Sequence, residues 1–93
     1  MIAKLLATNL DGWFGRARAY EVDPPMQYDD EKATSYVVVS AVVAYSGPET
    51  LIFPAKKQGD VFDVINFGEL EGSFRGALDH EAALNNAGYR VES

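Results

Sequence analysis

Cysteine is absent from the chain. That excludes disulfides, thiolate nucleophiles and cysteine-ligated zinc or iron–sulfur centres. Small secreted domains ordinarily carry such staples, so a reducing cytoplasm is the expected setting. Histidine occurs once, as His80. One imidazole cannot build a histidine metal site, so no metal and no cofactor is expected. Positive charge is scarce: eight lysines and arginines face fourteen carboxylates, for a net charge of −6. This balance works against direct binding of nucleic acid or anionic lipid. Long apolar runs are missing too, and nothing approaches the ~18 residues of a membrane span. The opening MIAKLLATNL carries Lys4 and runs into Asp11-Gly12 without a small-residue cleavage site. It reads as a strand rather than a leader peptide.

What is present is globular. Hydrophobic residues make up 47% and charged residues 24%, which fits a packed domain and not a disordered tail. At 93 residues the expectation is a single domain over 1–93, burying roughly 60% of its unfolded surface.

Alternation organises the first third. Residues 1–9 and 16–23 each read as a strand, joined as a hairpin across a loop that contains Asp11-Gly12. In the second strand Arg16, Arg18, Tyr20 and Val22 share one face, and Ala17, Ala19 and Glu21 share the other. Pro24 and Pro25 are expected to end it, because neither donates to a ladder. The polar MQYDDEKATS then reads as an exposed loop. Residues 35–46, SYVVVSAVVAYS, are apolar on both faces. Such a run is a central strand, covered on both sides or rolled into a small barrel. A turn at Ser46-Gly47-Pro48-Glu49 returns residues 50–54, where Pro54 suggests an edge or an end. Residues 61–67 offer a further short strand. Near the C-terminus, Asp79 is a helix N-cap, Glu81 suits the first turn, and Gly88 is the stop. His80, Ala83, Leu84 and Ala87 fall on one helical face, and Tyr89-Arg90-Val91 then continues as a last strand. The expected fold is α+β: a mostly antiparallel sheet of four to six strands with one short C-terminal helix packed on it. The alternative is a small β-barrel with an appended helix.

Several clusters invite functional readings. His80 lies between Asp79 and Glu81, an arrangement a small enzyme could use for acid–base chemistry. Sequence neighbours on a helix diverge by about 100°, so the cluster reads better as a helix start than as a catalytic group. No catalytic residue is assigned, and the chain is not read as an enzyme. Asp29, Asp30 and Glu31 lack the alternation and glycine of a calcium loop, and they are better explained as a solvated acidic loop. An alternative is that they belong to an acidic mimic of nucleic acid. Gly68, Gly72 and Gly76 recur every four residues without the lysine of a phosphate loop, and Arg75 is placed to pair with Glu69 or Glu71. Lys4, Arg16 and Arg18 form a short cationic stripe beside Tyr20. Trp13 and Phe14 are the favoured partner-binding residues: two large aromatics in a turn between glycines form either a lid on the core or an anchor for another protein.

The runs YVVVSAVVAYSGPETLIFPA and GELEGSFRGALDHEAALNNAGYRV resemble small uncharacterised accessory proteins encoded by phages of actinobacteria, over roughly residues 20–91. The resemblance implies a host cytoplasm during infection and a short product that binds a host or phage protein. It transfers no functional residue. The expected activity is therefore binding of a protein partner, with homo-oligomers possible through a strand edge or the sheet face.

Overall fold

A computed structural model describes residues 1–13 and 15–92. In chain order these form β1 (Ile2–Ala7), β2 (Arg16–Asp29), β3 (Lys32–Ala44), β4 (Gly47–Gln58), β5 (Val61–Val64), β6 (Phe74–Arg75), α1 (His80–Asn86) and β7 (Arg90–Glu92). The strands share one sheet in the order β5-β4-β3-β2-β1-β7, with β6 pairing β4 off that path. Every pair is antiparallel except β1 with β7. The α+β class and mostly antiparallel sheet agree with expectation. The strand count does not: the described residues form seven strands, and the order stays open, so no barrel closes. The strand not foreseen is β6, whose two residues are too few for alternation to register; β5 and β7 fall where short strands were expected.

β3 is the expected central strand, and both of its faces are covered from Val37 to Ala41, whereas Val43 near its end and Tyr45 beyond it are exposed. Val37 and Val39 join Ala3, Tyr20, Val22, Ile52, Ala83, Leu84 and Tyr89 in a core beneath α1. Val38 points the other way and packs with Ala17, Ala19, Ala55 and Phe62. The alternation in β2 thus sends Tyr20 and Val22 to one core and the two alanines to the other.

The prolines depart from expectation. β2 does not stop at Pro24; it runs on to Asp29, and the polar stretch after it is a hairpin rather than a loop. Residues 22–25 stand opposite Ser35 alone before pairing resumes at Met26 with Thr34. A bulge therefore carries the residues that cannot donate. The Pro24 carbonyl, out of the ladder, accepts the Tyr89 hydroxyl at 2.6 Å. Pro54 likewise lies inside β4, opposite Val37. Its carbonyl accepts the Ile65 N–H at 2.9 Å, so its backbone polar edge faces away from β3 and the missing N–H leaves no β3 carbonyl unpaired.

The helix start and stop follow the sequence. The Asp79 carboxylate accepts the Ala82 N–H at 3.0 Å. At the other end Tyr89 N–H bonds Leu84 carbonyl and Gly88 N–H bonds Asn85 carbonyl, a Schellman motif with Gly88 at φ +95°. The link from β5 to α1 is held by the hydroxyls of buried Thr50 and half-buried Ser73. Thr50 Oγ1 donates to the Ala77 carbonyl and accepts from Asp79 N–H, while Ser73 Oγ accepts from Ile52 N–H. Among the described residues no helix is long and apolar enough to cross a membrane.

Candidate functional site

The loop between β1 and β2 folds across the sheet face opposite α1. Leu10 and Trp13 pack there against the smaller core. Trp13 is half-buried. Its ring centroid lies 6.1 Å from that of Phe53, and Phe53 meets Phe67 edge-on at 5.9 Å. The indole Nε1–H donates to the Phe62 carbonyl at 3.4 Å, a long bond that ties the loop to β5. Phe14 lies outside the described residues.

Beside Trp13 is a groove of about 300 Å³, lined by Asp11, Trp13, Val61, Phe62, Asp63 and Phe67. Phe67 and Val61 remain 61% and 57% exposed, a large fraction for apolar side chains that flank a half-buried tryptophan. A second depression on the same loop adds Asp60 and Leu10. The rim is therefore acidic. Asp11, Asp60 and Asp63 make no ion pair among the described residues, although Lys56 stands across the ladder from Asp63. The structure joins Trp13 to Phe67 and Val61, roughly fifty residues away. Nothing in the sequence linked them, because that contact depends on the pairing of β4 with β5.

The remaining candidates lie elsewhere. His80 is buried, and its Nε2 sits 2.8 Å from the Arg16 carbonyl. A carbonyl only accepts, so Nε2 carries the proton. Burial holds its pKa below the usual value, aided by Arg18 and Arg16 and opposed by the hydrogen bond to the Arg16 carbonyl and by Asp79. Neither Asp79 nor Glu81 hydrogen-bonds the ring among the described residues. Asp30 and Glu31 are the two turn residues of the β2–β3 hairpin, with Asp29 beside them. Glu69 and Glu71 face Asp29 and Asp30 across a shallow depression. Among the described residues no group of three or more carboxylate or histidine side chains could hold a metal ion. Arg75 bridges Glu69 at 2.7 Å, as expected, and also Glu49 at 3.1 Å. The sheet edges are short. β7 has three residues, of which Arg90 and Glu92 are charged, and β5 carries the Trp13 indole on its backbone. Both features blunt an edge.

No known protein family, curated protein or solved structure matches this chain.

Proposed function

We propose that the chain is a binding protein rather than an enzyme, an accessory factor of phage origin that engages a host or phage protein in the host cytoplasm. The observation that carries the reading is the apolar groove of Trp13, Val61 and Phe67 inside an acidic rim. A protein segment with an aliphatic or aromatic side chain flanked by lysine or arginine fits it. The side chain would fill the groove between the rings, and the cations would meet Asp11, Asp60 and Asp63. Aromatic anchors of this kind carry most of the energy in protein interfaces, and rim charges steer the encounter. Phe14, next to Trp13 in the chain, belongs to the same contact in this reading.

The experiment is an affinity capture from actinobacterial lysate, read by mass spectrometry. Wild type is run beside Trp13→Ala/Phe14→Ala and beside Asp60→Lys. One protein should be enriched by wild type and fall about tenfold or more with either variant. Trp13 is the only tryptophan, so its emission should shift when the purified partner is added. Equal capture by all three proteins, or an unchanged emission, refutes the groove as the contact.

A further inference from the structure

On the face opposite the Trp13 groove, the start of β2 and the start of α1 enclose a cavity of about 530 Å³ lined by Asn9, Arg16, Arg18, Ala41, Leu78 and His80. Two features set it apart. In a chain with fourteen carboxylates and eight basic residues, two arginines line this cavity and no carboxylate does. Neither arginine makes an ion pair among the described residues; the ion pairs there use Arg75 and Arg90.

Strand periodicity explains the convergence. Arg16 and Arg18 are two residues apart on one face of β2, so their stems rise about 6.6 Å from each other. Two planar guanidinium forks at that separation can close on a single oxyanion. Arginine matches phosphate oxygens in pairs and stays charged. The Arg18 guanidinium also lies against the Tyr20 hydroxyl, and Tyr20 is 1% exposed, so a buried side chain orients the head of Arg18. His80 bonds the Arg16 carbonyl and fixes the helix against that strand. Asn9 adds an amide from a left-handed backbone, φ +53°, a conformation asparagine tolerates. Two carboxylates act on the groups around the cavity: Asp79, on Tyr20 and His80, caps the helix through Ala82 N–H, and Glu81, on Tyr20, is exposed.

We infer that this cavity binds a small phosphomonoester, with Arg16 and Arg18 on the phosphate and the organic part lying over Ala41 and Leu78. The volume supports the ester over bare phosphate, since it falls in the range of pockets for small organic ligands, ~300–1,000 Å³. Leu78 is 48% exposed and supplies an apolar wall. The net charge of −6 disfavours an extended polyanion. The inference does not depend on the Trp13 groove, which lies across the sheet.

The test is an NMR titration of the full chain with AMP, adenosine and inorganic phosphate, read at the backbone amides of residues 16–18 and at the His80 ring. AMP should shift these signals saturably below about 10 mM, at least tenfold more tightly than adenosine. Arg16→Gln/Arg18→Gln should weaken AMP at least tenfold. Arg16→Lys, which keeps the charge at an exposed site, controls for folding and should weaken AMP by less. Equal shifts by AMP and adenosine, AMP binding unchanged in the double variant, binding of phosphate but not AMP, or no shift below about 10 mM would each overturn the proposal.

Discussion

Replacing Gly72 with alanine tests how the link between β5 and β6 is built. Gly72 has φ +102°, a region that side-chain-bearing residues rarely adopt. A Cβ there would run into the Ala83 carbonyl oxygen and lie 3.0 Å from Ala87 Cβ and 3.1 Å from Ile52 Cδ1. Two effects therefore add. The backbone term is about 1–3 kcal/mol. Overpacking against helix backbone and a buried isoleucine adds about 1–3 kcal/mol, since neither can retreat cheaply. Gly76 separates them: it has φ +113° but nothing within 4 Å of a built Cβ. Gly76→Ala should show the backbone term alone. Against a total stability of roughly 5–14 kcal/mol for a chain this size, Gly72→Ala should lose about 2–6 kcal/mol. The two variants should then differ in Tm by roughly 5–20 °C. Urea unfolding followed by Trp13 fluorescence and by circular dichroism measures both. If Gly72→Ala and Gly76→Ala lose the same stability, the close approach of the link to α1 is wrong.

Two further expectations follow from the cores. Tyr89→Phe removes the hydroxyl that bonds the Pro24 carbonyl at 2.6 Å and should cost about 1–2 kcal/mol; an unchanged urea midpoint would mean that water satisfies the bulge without Tyr89. His80 is held by burial below its usual pKa near 6.5, so the unfolded chain takes up the proton first as pH falls. Its contribution is intact above about pH 6.5 and is lost as pH falls through the window between the unfolded and folded pKa. His80→Asn should flatten the pH dependence of the urea midpoint over that window, and an unaltered slope would show that His80 is not buried neutral.

The Gly68, Gly72, Gly76 spacing shows how a sequence pattern can conceal distinct causes. The three glycines recur at an even spacing of four. Gly68 has no positive φ, Gly76 has open space beside it, and only Gly72 is pressed against a helix. A packing reason of that sort is invisible until the helix is in place. The prolines carry a similar lesson. Each lacks a donor wherever it sits, but whether that ends a strand depends on which way the neighbouring carbonyls point. Pro54 faces Ile65, and Pro24 sits in a bulge answered by Tyr89.

Sequence alone determined what short-range physics controls. The doubly apolar run of residues 35–46 had to be central, the cap at Asp79 and the stop at Gly88 had to bound a short helix, and the alternation of β2 had to split arginines and alanines between faces. Tertiary structure decided what depends on distant partners. It set the parallel pairing of β7 on β1, and it rested Trp13 on β5 beside Phe67. It also gathered Arg16, Arg18 and His80 around one cavity. Local preferences act over a few residues, whereas these contacts exist only after strands of high sequence separation have paired.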